Sequence, residues 1–182
     1  MSRNYKIHDQ QGVYFITFTI VSWIDVFTRP LYKDLFLESV QYCQENKGFK
    51  VHAYCIMTNH VHFIASAENN KLSDIISDLK KFTSKKIISE IDLNIQESRK
   101  SWMMSIFRNA GAYNRNNEQY QFWQQHNHPI ELYTGPVIQQ KLYYIHNNPV
   151  VAGYVVDAEN YPYSSAHDYA GGKGKLKIDL LY

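Results

Sequence analysis

Residues 49–66 read FKVHAYCIMTNHVHFIAS, and this stretch decides the fold. It contains two runs rich in β-branched, aromatic and other apolar residues, residues 49–57 and residues 60–66, separated by only two residues. Runs of this kind are typical of strands, and so short a connection joins neighbouring strands that run antiparallel. The stretch therefore predicts a hairpin in an antiparallel sheet.

The second strand of this hairpin carries two histidines that flank one apolar residue. Side chains alternate between the faces of a strand, so His60 and His62 share one face, while Val61 and Phe63 share the other. Two neighbouring imidazoles can hold one divalent ion if a third ligand comes from elsewhere in the fold. The alternative is a metal-free pair on a half-buried strand.

A second polar cluster lies in residues 143–150, which read YYIHNNPV. We predict a helix over residues 136–148, ended by Pro149, because the residue before a proline is disfavoured in the helical region. Tyr144 and Asn148 are four residues apart and would share one face of this helix. Together with the two histidines they offer a nucleophile and three metal ligands. The alternatives are a tyrosine that only packs and an asparagine that caps the helix.

The remaining pattern places further elements around the hairpin. These are a central strand covered on both faces (13–22), a loop (25–30), a helix between Pro30 and Gly48 (31–45), a helix (71–91), a short strand (153–156), a short helix that begins in residues 161–166, and a final strand or tail (176–180). Strand, helix, strand, strand, helix and a later strand is the ferredoxin-like order. We predict an α+β fold, a ferredoxin-like antiparallel sheet packed with helices, in a single domain over residues 1–182 with its core at 13–166.

The helix at residues 71–91 has an apolar stripe and a basic patch. The stripe consists of Leu72, Ile75, Ile76, Leu79 and Phe82. The basic patch consists of Lys80, Lys81, Lys85 and Lys86, and it is the best candidate surface for phosphates. A solvated helix face without a partner is the alternative. Residues 92–121 are predicted to be an irregular insertion, in which Arg99, Arg108 and Arg115 are candidate DNA contacts.

Composition limits the class of protein. The chain has 182 residues, 45% of them hydrophobic and 20% charged, as is usual for a globular protein. The net charge is only +2, so nucleic acid would have to bind at a local patch. Cys43 and Cys55 have no framework spacing, and no signal peptide or apolar run of membrane length is present. We therefore expect a cytoplasmic protein with reduced thiols.

Four motifs in order resemble the HUH single-tyrosine transposases, and among them the REP-associated tyrosine transposases. They are AYCIMTNHVHFI, FWQ, YIHNNPVVAGYV and YPYSSA, and the match spans about residues 13–166. The resemblance implies a metal-dependent enzyme that cuts and rejoins single-stranded DNA at hairpin-containing ends. The resemblance implies the site residues by motif: His60, His62 and Asn148 fall on the ligands of Mg²⁺ or Mn²⁺, and Tyr144 on the catalytic tyrosine.

The resemblance also implies a 5′-phosphotyrosine intermediate and strand transfer to a 3′-hydroxyl. Two departures from the family pattern are Thr58, where proline is usual, and residues 125–132, which lack the usual basic and aromatic residues. Relatives act as monomers or as dimers, and we expect a homodimer. The competing hypotheses are a non-catalytic, domesticated DNA-binding protein and a metal-dependent hydrolase without a covalent tyrosine.

Overall fold

The computed structural model describes residues 7–69, 71–112 and 119–181. It has four strands, β1 (Tyr14–Thr19), β2 (Phe49–Ile56), β3 (His60–Ala67) and β4 (Ile130–Glu131) in the described residues. They form one sheet in the order β2-β3-β1-β4, and every neighbouring pair is antiparallel. This is the predicted ferredoxin-like order, with the hairpin β2–β3 at one side of β1.

Helices connect and cover these strands. They are α1 (Pro30–Lys47), α2 (Leu72–Leu93), α3 (Lys100–Ala112), α4 (Gly135–Val151) and α5 (Ala166–Tyr169). Short 3-10 turns occur at Val21–Trp23, Val26–Thr28 and Ala158–Asn160. Helix α1 begins at Pro30, whose fixed φ suits a first helical position, and ends at Gly48, whose φ of 67° is left-handed.

The main core lies on the face of the sheet that carries Phe18 and Phe63. Both rings contact Phe36 of α1, with centroid distances of 6.4 and 6.1 Å. Trp123 joins the same cluster at 5.6 Å from Phe18. All of these side chains are buried, so the alternation of β1 and β3 buries one complete face beneath the helices.

Helix α4 lies against the opposite face, where His62 and Phe15 project. The ring of Tyr144 on α4 is 5.9 Å from that of Phe15, while Leu142 and Ile145 anchor the helix in the core. The strand β1 is therefore covered on both faces, as its apolar sequence predicts. This arrangement places the predicted tyrosine above the predicted histidine pair.

Both edges of the sheet are covered by irregular chain. On the outer edge of β1, beyond the two-residue strand β4, Thr17 N–H donates to the Asn127 carbonyl and Gln124 N–H donates to the Thr19 carbonyl. On the outer edge of β2, backbone N–H groups of Ser165 and Asp179 donate to carbonyls of that strand. Strand β4 is thus short, and the irregular chain next to it forms further backbone hydrogen bonds with β1.

Several predictions about single elements are wrong. Residues 100–112 of the predicted irregular insertion form helix α3. Residues 153–156 are not a strand, whereas residues 176–180 form a tail, one of the two predicted alternatives. Helix α4 does not end at Pro149 but continues to Val151: the ring of Pro149 is buried, and Ala152 N–H donates to the Asn148 carbonyl.

The apolar stripe of α2 also differs at one position. Phe82 is 58% exposed, and Thr83 is buried in its place. The Thr83 hydroxyl donates to the Leu79 carbonyl at 2.7 Å and accepts the indole N–H of Trp123 at 3.0 Å. A hydroxyl with both bonds made can be buried at little cost, so the smaller side chain occupies the core position.

Candidate active site

The two histidines project from the centre of the sheet, side by side. In the β1–β3 register, Thr17 is opposite His62 and Thr19 is opposite His60. The two imidazole centroids are 4.7 Å apart. The period of the strand therefore brings both rings to one face, as the spacing predicts.

Hydrogen bonds hold each imidazole through its Nδ1 atom. His62 Nδ1 is 2.9 Å from the Thr17 hydroxyl, and His60 Nδ1 is 2.7 Å from the Asn59 side-chain oxygen. The Asn59 amide nitrogen donates to Asp25 at 2.9 Å, which leaves its oxygen to accept the His60 proton. We assign the Nδ1–H tautomer to His60 on this network and infer the same tautomer for His62. Both Nε2 lone pairs are then available to a ligand.

No residue in the described part of the chain forms a hydrogen bond with the Nε2 atom of His62, although this atom is buried. Burial, with smaller contributions from His60 and Lys141, lowers the pKa of His62 to about 3. Burial also lowers the pKa of His60. Both rings are therefore neutral at physiological pH, the form in which imidazole binds a metal. An orphaned buried nitrogen beside a second free nitrogen fits a metal site.

Tyr144 meets this pair from helix α4. Its ring centroid is 5.2 Å from that of His62, and 48% of the residue is exposed. Asn148 follows one turn later and is half-buried. Because α4 continues to Val151, Asn148 does not cap the end of the helix. The face that carries the phenol thus also carries an amide, as predicted.

The donor set limits the kind of metal site. Among residues 7–69, 71–112 and 119–181, no three His, Cys, Asp or Glu side chains form a group that could hold an ion. The two imidazoles would therefore need an amide oxygen such as that of Asn148. Two nitrogens and one oxygen suit Mn²⁺ at least as well as Mg²⁺, which prefers oxygen ligands.

A cation that the sequence analysis missed lies beside the tyrosine. Lys141 Nζ is 5.8 Å from the ring centroid of Tyr144 and 4.7 Å from that of Phe15. Lys141 precedes Tyr144 by three residues, a spacing that places both side chains on one face of a helix. That spacing is the feature of the sequence from which Lys141 could have been identified. The sequence has no such feature for Thr17 and Asp25, because their roles depend on strand register and loop position.

The four lysines of the basic patch differ in their availability. Lys80 Nζ is occupied by the Gln124 carbonyl at 2.7 Å and the Asn127 side chain at 2.6 Å, and burial lowers its pKa to about 8. Lys86 forms an ion pair with Glu38 at 2.8 Å. Lys81 and Lys85 are exposed. The patch that faces solvent is therefore smaller than the sequence predicts.

The arginines also separate into different roles. Arg99 binds the buried carboxylate of Glu97 through two nitrogens, at 2.8 and 2.9 Å, and so serves the fold. Arg108 is exposed on α3, with its guanidinium 3.4 Å from the Tyr120 hydroxyl. Arg115 lies outside the described residues.

His146, within the same motif as Tyr144, faces away from the histidine pair. Its Nε2 atom is 2.8 Å from the Ser165 hydroxyl, which also accepts the backbone N–H of Tyr54 at 2.9 Å. Burial lowers the pKa of His146 to about 4. His146 thus ties α4 to strand β2 and is not a third ligand.

The chain is similar to known proteins in sequence and in structure. The sequence profile of the IS200-like transposases matches residues 13–110. A REP-associated tyrosine transposase bound to a REP hairpin is similar in structure over 100% of this chain and 94% of that chain, with a TM-score of 0.66 and 15% identity. A putative transposase from Deinococcus radiodurans matches 79% of this chain and 94% of that chain, with a TM-score of 0.45 and 12% identity.

No curated protein matches the chain in sequence. The first structural likeness confirms the predicted fold over the full length of the described chain. No helix in the described residues is long and apolar enough to cross a membrane.

Proposed function

Because the chain belongs to the family of IS200-like transposases, we propose that it cleaves single-stranded DNA and transfers the cut strand through Tyr144. The observation that carries this proposal is the position of the Tyr144 ring, 5.2 Å from the ring of His62. A phenol next to a pair of metal-ready imidazoles is the arrangement that phosphodiester cleavage by a tyrosine needs.

His60, His62 and Asn148 would hold a divalent ion, Mg²⁺ or Mn²⁺. When bound, the ion supplies Lewis-acid polarisation of a non-bridging oxygen of the scissile phosphate. The protein's own contribution is orientation. Thr17 and Asn59 hold the two rings with Nε2 directed away from their hydrogen-bond partners.

Tyr144 is the nucleophile in this proposal. Its phenolic oxygen attacks the phosphorus in line, a bond forms from that oxygen to the 5′-phosphate, and the bond to the 3′-oxygen breaks. The phenolic proton ends on the departing 3′-hydroxyl. Attack by another 3′-hydroxyl reverses the step and rejoins the strand elsewhere. Because the phosphotyrosine conserves the energy of the broken bond, the reaction needs no ATP.

Lys141 helps this step through its charge. A free phenol has a pKa near ~10 and is a weak nucleophile at neutral pH. An ammonium group on the same face of α4 favours the negative charge that develops on the phenolic oxygen and on the phosphate. Lys141 Nζ lies 5.8 Å from the centroid of the Tyr144 ring, within reach of both.

The substrate in this proposal is DNA with hairpin or repeat-containing ends. The similar transposase was solved with a REP hairpin, and the exposed lysines 81 and 85 with Arg108 offer phosphate contacts here. Tyr144 and both histidines meet within one chain, so the expected homodimer is not needed to complete the site. The buried free thiols of Cys43 and Cys55 suit the reducing cytoplasm.

The test is a covalent adduct. Labelled single-stranded oligonucleotides from the repeats that flank the gene are incubated with protein and Mn²⁺ or Mg²⁺, and the products are separated on a denaturing protein gel. We expect a metal-dependent labelled adduct in the wild type, none in Tyr144→Phe, and an unchanged adduct in Tyr143→Phe, the exposed neighbour on another face of α4.

Other outcomes of the adduct assay would support different conclusions. An adduct that persists in Tyr144→Phe moves the nucleophile to another tyrosine. Hairpin binding without any adduct, over oligonucleotides that tile both flanking repeats, favours the non-catalytic DNA-binding protein. Cleavage without an adduct favours the hydrolase.

A further inference from the structure

An exposed tryptophan stands beside the histidine pair, and neither the mechanism above nor the sequence motifs use it. Trp23 is 58% exposed, whereas Val21, Ile24 and Val26 on either side of it are buried. Its ring centroid is 6.0 Å from that of His60, with the planes at 73°. A large apolar ring is thus held in solvent at the edge of the candidate active site.

The backbone that holds Trp23 outward is strained. Ser22 has φ 55° and Trp23 has φ 54°, both in the left-handed region that non-glycine residues rarely adopt. Two such residues in succession, one of them bulky, persist only where the surroundings enforce them, and such strain is concentrated at functional sites.

Hydrogen bonds on both sides of the turn enforce this conformation. Val21 N–H donates to the Phe122 carbonyl at 2.9 Å, and Trp23 N–H donates to the Ile20 carbonyl at 3.1 Å. Ile20 N–H in turn donates to the Asn59 carbonyl at 2.9 Å. The turn is therefore attached directly to the residue that precedes His60, so the indole keeps its position relative to the histidine pair.

A row of aromatic and imidazole rings extends across the site, from Trp23 in this turn to Tyr144 on helix α4. Trp23 contacts His60 at 6.0 Å, His60 contacts His62 at 4.7 Å, and His62 contacts Tyr144 at 5.2 Å. A strand whose phosphate is bound at the histidine pair can place one of the two neighbouring nucleosides next to Trp23. An indole face stacks on any base, because every base has a π-face.

We propose that Trp23 is a base-stacking residue, which holds an unpaired base of single-stranded DNA next to the phosphate at the His60–His62 pair. The inference rests on the proposed function, since it needs a DNA strand in this site. It adds a second point of attachment for the strand, on the side of the histidine pair away from Tyr144. Stacking there restrains the nucleotide and so aligns its phosphate with the phenol.

The chain offers matched variants for a test. Trp102 is 46% exposed on α3 and serves as a control, while Trp123 is buried in the core and reports the fold. The probe is a set of single-stranded oligonucleotides from the flanking repeats, each with one abasic position. Binding is measured by fluorescence anisotropy and by quenching of tryptophan emission, and adduct formation is measured on the same samples.

We expect the oligonucleotide to quench emission in the wild type and in Trp102→Phe but not in Trp23→Phe. Trp23→Ala should bind roughly 5- to 100-fold more weakly, the range for one stacked base. One abasic position should weaken binding of the wild type and leave Trp23→Ala unaffected. Trp23→Gly should show the same loss of affinity while melting no lower than Trp23→Ala, because glycine relieves the left-handed strain.

Other results would overturn the inference. Quenching that persists in Trp23→Phe, or wild-type affinity in Trp23→Ala, removes Trp23 from the DNA site while the adduct of the wild type still supports the transposase reaction. If the wild type neither binds these oligonucleotides nor forms an adduct, the proposed function fails and this inference fails with it. A Trp23→Gly protein that unfolds far below Trp23→Ala would show a structural role instead.

Discussion

The imidazoles of the histidine pair depend on single hydrogen bonds to neighbouring residues. His62 has the Thr17 hydroxyl at 2.9 Å from Nδ1, and the opposite nitrogen is buried with no partner among the residues that the structure describes. A partner at Nδ1 selects the tautomer and the ring orientation, and losing such a partner commonly lowers metal affinity by roughly 10- to 100-fold. The hydroxyl of Thr17 would thus act on the proposed metal site without touching the ion.

We predict that Thr17→Val lowers the affinity for Mn²⁺ by roughly 10-fold or more, because His62 loses the partner of Nδ1. Valine has nearly the same shape, so the β1–β3 pairing should persist. Isothermal titration of the purified protein with Mn²⁺ measures the effect. Thr17→Ser keeps the hydroxyl and should bind as the wild type does; equal affinities in all three proteins would contradict the role of this bond.

The second prediction at this scale concerns Lys141. Lys141→Met should slow adduct formation by on the order of 100-fold, the usual effect of removing one group that stabilises developing negative charge. DNA affinity should change much less, since the charge matters most in the transition state. Single-turnover rates and anisotropy separate the two quantities. Lys141→Arg should recover most of the rate, and a loss confined to affinity would make Lys141 a simple phosphate contact.

The candidate site was largely readable from the sequence because it depends on two short periods. The spacing of two between His60 and His62 and the spacing of four between Tyr144 and Asn148 place each pair on one face whatever the rest of the fold does. Which element faces which is a tertiary property. For this reason Thr17, opposite His62 only through strand register, was not identifiable in advance.

Among the elements, the segment between α2 and α3 is held by a buried carboxylate. Glu97 accepts hydrogen bonds from Arg99 and from the Tyr32 hydroxyl at 3.0 Å, and Arg29 lies 2.8 Å away. Arg99 also donates to the Asp25 carbonyl at 2.7 Å. The carboxylate therefore joins the start of α1 to the start of α3. Through Arg99 it also holds the turn that precedes α1.

This carboxylate predicts a loss of stability in acid. Bonds from Arg99, and smaller effects of Tyr32, lower the pKa of Glu97 from 4.5 to about 2. A carboxylate whose pKa is lowered in the folded protein contributes its full stabilisation at any pH above its ordinary pKa. This contribution, about 3 kcal/mol, is lost as the pH falls from about 4.5 towards 2.

Denaturant unfolding between pH 6 and pH 3 therefore tests Glu97→Gln. The free energy of unfolding should be lower than that of the wild type by about 3 kcal/mol near pH 6, and the difference should shrink in acid. Glu38→Gln removes only the exposed pair with Lys86 and should cost less than about 1 kcal/mol. A constant difference at every pH would assign the loss to packing.

The errors at the level of elements have physical causes. Met103, Met104 and Phe107 have helical spacing and are buried in α3, but the surrounding Asn, Gln, Arg and Ser residues hide that pattern. Pro149 is disfavoured inside a helix, yet its ring is buried in α4, so packing outweighs the local preference. Strand β4 has only two residues, too few for any periodicity.

For the whole molecule, low charge predicts a modest electrostatic grip on DNA. The net charge is +2. Of the four patch lysines only Lys81 and Lys85 are exposed. For single-stranded DNA, each phosphate contact that is removed lowers the slope of log K against log salt concentration by about 0.7.

The double variant Lys81→Gln/Lys85→Gln should therefore lower the salt slope of single-stranded DNA binding by about 1.4. Anisotropy titrations at several salt concentrations measure it. Lys177→Gln removes an exposed lysine beside α1 and should leave the slope unchanged. An unchanged slope in the double variant would show that the α2 patch is only a solvated face.

The covered edges of the sheet have a consequence for the behaviour of the protein in concentrated solution. Open strand edges recruit further strands and seed aggregates. Here the Asn127 and Gln124 segment occupies one edge, while Ser165 and Asp179 occupy the other. Removal of the chain that follows α5 would uncover the Val51 carbonyl on β2 and leave this edge open to a strand of another molecule.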